Sequence, residues 1–352
     1  MKNNGEILVV LDVEGPQVLN DIAFETTVEL AKRCGLGEEI GREFYKRISN
    51  IDDIWGIFHK IPCDPSYSPG HTLKVILPFF VAMAATEKEL YQIARENLRI
   101  VPDIKEILAV LQKKYEVWMI STSYDWFIRA YCDYVDFPFD RTYCTRVKNY
   151  EQTLITKEQH TLLLRFMEHT ATLAPIIEYD HKTGEIAPDH QKCYDTITKF
   201  VWETIYNTPL GNLLQTVHPI GQTQKTEALK EIRRQTEFLK KNVMYVGDSI
   251  TDEGVMRWLK KVGLTMAFNG KGQVCDLSDL MFIGKSATAI LQVARNFAEH
   301  GRDITLNCHY SAPQNIFGGV IAAVTKENIK ELKTRSERMR KEFRGEHIGA
   351  LT

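Results

Sequence analysis

The stretch ILVVLDVEGPQV, residues 7–18, runs five apolar residues into Asp12, with Glu14 two places on and Gly15 next. Two carboxylates at the end of a buried strand have two readings: a polar surface turn, or a nucleophile with an acid/base partner. Far along the chain, VMYVGDSITDEG repeats the pattern, an apolar run ending at Gly247 and Asp248, with Asp252 four residues further. Lys225 lies in QTQKTEAL, and Ser121, Thr122 and Ser123 close VWMISTS. Each piece alone has a plain structural explanation: a turn, an N-capped helix start, a surface lysine, a strand-end hydroxyl. Brought together, they would supply a nucleophile, further carboxylates, a cation and a hydroxyl donor.

Ile7 to Leu11 is short and apolar at every position, which predicts a parallel strand buried on both faces. Residues from about 20 to 100 show helical spacing in AFETTVELAKRC and EKELYQIAREN, closed by CGLG and by Pro102. A helix over 102–114 and a strand over 116–120 follow, the strand ending at Ser121–Ser123. Residues 147–220 form a second insertion, with a hairpin around Lys182, Thr183 and Gly184. From Gly221 a helix, the strand NVMYVGDS, the helix TDEGVMRWLKKVG and the strand LTMAFNG alternate. SDLMFIG is expected as an edge strand before the helix SATAILQVARNFAEHG. Such alternation predicts an open α/β sheet, mostly parallel, with helices on both faces, and such sheets bind ligands beyond the carboxyl ends of their strands. Asp12, Glu14, Ser121, Asp248 and Asp252 all fall at such ends, and Lys225 opens the helix before one of them.

With these pieces in order, the sequence resembles the haloacid dehalogenase (HAD) superfamily. VVLDVEG corresponds to its aspartate motif, VWMIST to its hydroxyl motif, QTQKTEAL to its lysine motif and VMYVGDSITDEG to its acidic motif. VPDIKEILAVLQKKYEVWMIST and MAFNGKG look most like the phosphoserine-phosphatase branch. The resemblance implies a Rossmann-like core from residues 1–19, 100–146 and 221–325, and a helical cap, 20–99, inserted after the first motif. Residues 147–220 and a basic C-terminal helix and tail, 326–352, stand outside it. It further implies Asp12 as nucleophile, Glu14 as proton shuttle, Lys225 as counter-cation and Ser121 as donor to a phosphoryl oxygen. Magnesium would be held by Asp12, Asp248 and the Glu14 backbone carbonyl, with Asp252 behind them. Thr122 and Asp21 are candidates for substrate contact, and Asp21 equally for a helix N-cap. Two positions depart from the usual pattern: Glu14 where aspartate is common, and Pro16 where threonine is common. The first lengthens the side chain by one methylene; the second removes a backbone donor and fixes φ.

The formal charge of −2 provides no global basic field for nucleic acid. The longest apolar run, Thr72–Thr86, is too short to span a bilayer and contains Pro78, and MKNNGE has no apolar signal core. Seven scattered cysteines without metal-ligand spacing predict reduced thiols and a cytoplasmic setting. Asp180, His181, Asp189, His190 and Cys193 gather near the hairpin, as a polar loop or a metal site. Trp55, Phe58 and His59 suit a pocket roof or a cap core. The tail from Lys326 to Arg344 holds eight Lys/Arg and four Glu. Its stripe of Ile329, Leu332, Met339 and Phe343 predicts an amphipathic helix docked on its own chain, or a contact for a protein partner. The function expected is magnesium-dependent hydrolysis of a small phosphomonoester through an aspartyl phosphate. A phosphotransferase on the same site and a non-catalytic binding or assembly subunit of the same fold are the alternatives.

Overall fold

The computed structural model describes residues 7–148 and 150–345. Strand β1 (Leu8–Leu11) is wholly buried. Four helices follow: α1 (Ile22–Arg33), α2 (Glu38–Ile57), α3 (Thr72–Ala82) and α4 (Glu87–Glu96). Asp21 caps α1 by accepting the Phe24 N–H, and Thr86 opens α4 with a reciprocal capping box to Glu89. Helix α3 carries the apolar run containing Pro78 and is buried almost all round.

The chain continues through α5 (Ile104–Lys114), β2 (Glu116–Tyr124), α6 (Asp125–Val135) and β3 (Thr142–Thr145). Next come α7 (Lys157–Leu173), α8 (Pro188–Lys199) and α9 (Gly211–Thr216), with α7 packed on α2 and α3. The last third holds α10 (Gln222–Thr236), β4 (Val243–Gly247), α11 (Glu253–Leu259), β5 (Leu264–Phe268), α12 (Gln273–Leu277) and β6 (Leu280–Gly284). It closes with α13 (Thr288–Ile304), β7 (Gln314–Ile316), β8 (Gly319–Ala323) and α14 (Ile329–Arg344).

The sheet order is β3-β2-β1-β4-β5-β6-β8-β7, parallel from β3 to β6. The order reverses at β1, whose neighbours are β2 and β4, which is where an α/β sheet opens a crevice. Leu11 pairs with Val246, so Asp12 and Asp248 leave adjacent strands nearly side by side.

Several expectations are corrected. Strand β2 runs on to Tyr124, beyond the expected Ile120, with a register shift against β3 between Ile120 and Tyr124. SDLMFIG is an internal strand, because the antiparallel pair β7 and β8 covers it. That pair escapes sequence reading because QNIFGGVIAA is glycine-rich and partly exposed, with no clean alternation. The hairpin at 182–184 reduces to a single bridge between Tyr179 and Ile186. Among the described residues, no helix is long and apolar enough to cross a membrane. The expected tail lies partly outside the described residues, from 346 on; its helix packs on β6 and α12. The deeply buried line of that helix is Leu332, Ser336, Arg340 and Arg344, while Ile329, Met339 and Phe343 are half-buried.

Candidate active site

Asp12 emerges from β1 with its N–H bonded to the Val246 carbonyl at 2.9 Å. Its Oδ1 accepts the Val13 N–H at 2.7 Å, and its Oδ2 accepts Lys225 Nζ at 2.6 Å. Lys225 sits in the first turn of α10 and is 1% exposed. The same ammonium donates to Asp252 Oδ1 at 2.8 Å. Asp252 also accepts from Tyr245 Oη at 2.6 Å and from the N–H groups of Asp248 at 2.9 Å and Ser249 at 3.1 Å. With so many donors, Asp252 is held rigidly, and it ties the end of β4 to the start of α11.

Asp12, Asp248 and Asp252 each place one carboxylate oxygen within 4.8 Å of the others. Hard carboxylate oxygens this close together could hold a metal ion, and Asp248 already draws positive charge to itself. Its Oδ2 is met by Arg340 Nη1, and by Arg344 Nη1 at 3.1 Å. Gly15 allows this crowding: its φ is +99°, and a Cβ there would overlap the Asp248 carboxylate. Pro16 leaves the turn intact, with Gly15 N–H on Val18 O at 2.8 Å and Gln17 N–H on Val13 O at 3.0 Å.

Burial and the neighbouring Asp252 and Asp248 charges push the Asp12 carboxyl well above its usual range, against the pull of Lys225. Asp252 stays below its usual range because Lys225 and its other donors outweigh burial. Glu14 is half-buried and its Oε1 accepts the Ile22 N–H at 3.0 Å. Burial and the Asp21 charge push it up to about 7, against the Ile22 N–H and Arg344. A carboxyl poised there can both give and take a proton near neutrality.

Asp12, Glu14, Asp21, Thr122 and Asp248 line one cavity of about 100 Å³, which α2, Gly70 and the start of α3 also line. Asp21 is the N-cap of α1, receives the Tyr45 hydroxyl at 3.1 Å, and lines the cavity. Ser121 does not line this space. Its Oγ accepts the Ser123 N–H at 3.2 Å, while Thr122 and Ser123 line the cavity. Trp55, Phe58 and His59 are not a roof. Trp55 packs on Trp202 and Tyr67, Phe58 on Tyr179, and His59 Nδ1 meets Tyr194 Oη at 2.7 Å. The aspartate and histidine cluster near the hairpin forms no metal-sized group among the described residues. Sequence reasoning missed Gln17, which is fully buried and bridges the Asp12 carbonyl at 2.8 Å to the Tyr131 hydroxyl at 2.9 Å. It also missed Arg340 and Arg344, since nothing in a basic helix marks which arginines turn inward.

No protein-family model and no curated protein matches the sequence. Among solved structures, the chain is similar to gene product AF1437 from Archaeoglobus fulgidus, with 22% identity and a TM-score of 0.78. That likeness covers 98% of this chain and 99% of the other. A substrate-bound phosphoserine phosphatase overlaps more loosely, at 14% identity and a TM-score of 0.46, over 83% of this chain and 99% of that one. A HAD family hydrolase from Salmonella enterica serovar Typhi does so at 10% and 0.40, over 77% of this chain and 65% of that one. The architecture is a Rossmann-like α/β fold, with a mostly parallel sheet and helices, shared with AF1437 over nearly the whole of both chains.

Proposed function

We propose that this protein is a phosphatase of HAD type that hydrolyses a small phosphomonoester. The observation that carries the reading is the buried Lys225 bridging Asp12 and Asp252 beside Asp248, at the point where the strand order reverses. Asp12, Asp248 and the Glu14 carbonyl would hold a magnesium ion, which when bound offsets the negative charge of phosphoryl group and carboxylates. Asp12 Oδ attacks phosphorus, and the bond from phosphorus to the ester oxygen breaks. Glu14, protonated near neutral pH, gives its proton to that leaving oxygen. Glu14, now a carboxylate, takes a proton from water, whose oxygen attacks the aspartyl phosphate and frees inorganic phosphate and Asp12. Lys225 holds the Asp12 carboxylate in line and offsets charge on the phosphoryl oxygens. Thr122 and Ser123, with Ser121 behind them, form the hydroxyl wall. Residues 20–99 act as a cap on the core, residues 147–220 as a second insertion buttressing it, and α14 as a helix completing the cavity.

One observation favours the non-catalytic alternative: two guanidiniums stand on Oδ2 of Asp248, one oxygen of a carboxylate that a metal would need. Hydrolysis of an aryl phosphate with Mg²⁺ decides between them. The wild-type protein should release phosphate, and Asp12→Asn should reduce release to background. Phosphate appearing on an added alcohol would instead identify a phosphotransferase. A wild-type protein inactive across a broad phosphomonoester panel would overturn the enzyme reading.

A further inference from the structure

Arg340 and Arg344 reach Asp248 from the far end of the chain, and they are held in different ways. Arg344 is pinned by the backbone: its Nε donates to Leu19 O at 3.0 Å and its Nη2 to Asn20 O at 2.6 Å. Its contact with Asp248 is a third bond. Arg340 is 3% exposed, yet its hydrogen bonding in the described structure runs through Nη1 to Asp248. Its Nε is buried without a partner, although the side chain lines the cavity. The helix beneath it is fixed by Leu332 in the core and by Ser336 Oγ on the Gly270 carbonyl at 2.8 Å. The guanidinium therefore has a firm base and unused donors.

Once a divalent cation takes the Asp248 oxygen that Arg340 holds, Arg344 keeps its two carbonyls, whereas Arg340 loses its hydrogen-bonded carboxylate and keeps only the more distant charge of Asp21. A buried guanidinium without a partner is costly, and a second cation beside it raises that cost. An anion in the cavity relieves both, and a planar fork of donors suits phosphoryl oxygens. We propose that Arg340 is an anion-binding residue of the substrate cavity, held on Asp248 until a divalent cation takes that carboxylate over. This rests on the metal-dependent phosphatase reading above. It adds that metal and phosphoryl group enter as a coupled pair, with α14 supplying the exchanged charge.

The test is calorimetric, on the full chain, and independent of turnover. Mg²⁺ alone is titrated into wild type and Arg340→Met, and inorganic phosphate is then titrated at saturating Mg²⁺. In Arg340→Met, Mg²⁺ should bind about tenfold more tightly because its competitor is gone, and phosphate about tenfold more weakly. Arg340→Lys, which keeps the charge without the fork, should fall between on both. It also serves as the folded reference, and carries the test if the methionine variant melts early. Changes in the same direction would mark Arg340 as merely structural, and an unchanged affinity for either ion would overturn the proposal alone. Failure of the wild-type protein to bind Mg²⁺ would overturn it together with the metal-dependent reading.

Discussion

Replacing Lys225 by methionine removes a charge from between two buried carboxylates while nearly conserving volume. At 2.6 and 2.8 Å, each attraction is worth roughly 6 kcal/mol at an effective dielectric of about 20. Much of this is offset in the native protein by the cost of desolvating three charges. The variant keeps that cost for Asp12 and Asp252 and loses the attraction, so a net destabilisation of about 3–5 kcal/mol is expected. Equilibrium urea unfolding without divalent cations measures it. A second substitution separates charge from packing: in Lys225→Met with Asp12→Asn, one stranded carboxylate becomes neutral. The double variant should be more stable than the sum of the single losses by about 1 kcal/mol or more. A methionine variant within about 1 kcal/mol of wild type, or strict additivity, would refute the view that Lys225 balances these carboxylates.

Gly15→Ala should cost more than Gly35→Ala in the same urea assay. Both positions have positive φ, but only at Gly15 would the Cβ also overlap the Asp248 carboxylate, while Gly35 has open space. Backbone strain alone is about 1–2 kcal/mol, so equal losses would refute the role given to the close approach. His71 is buried, with Nε2 facing Ser68 Oγ and Gln224 Oε1, and burial with the Lys74 charge lowers it to about 4. Between about pH 6.5 and 4 the unfolded chain then binds more protons than the folded one, so stability falls as pH falls through that window. The loss from this group is up to about 3 kcal/mol, and His71→Asn should flatten the slope in a pH series of unfolding curves. An unchanged slope would refute it.

The strands β1, β4 and β5 were legible because each is a short run, apolar or glycine except at Thr265, between turn or helix signals, as a parallel strand covered on both faces requires. Asp12, Asp248, Asp252 and Lys225 were legible because each stands where such a strand or its neighbouring helix ends. The 72–86 run could be read as buried but not as a particular helix packing. The antiparallel pair β7 and β8 was not legible, since its residues are half exposed and its pairing depends on the edge that β6 offers.

The sequence by itself determined the alternating α/β order and the carboxylates at the strand ends, because burial and periodicity are local properties of the chain. Tertiary structure alone decided what those carboxylates meet. It placed Thr122 and Ser123 in the cavity wall and Ser121 outside it, where its Oγ accepts the Ser123 N–H. Helix α14 decided the rest: its apolar stripe predicts docking on its own chain, but not that Arg344 reaches a carboxylate 96 residues away. Buried Asp248 needs a cation close by, and no local pattern in either segment says which one will reach it.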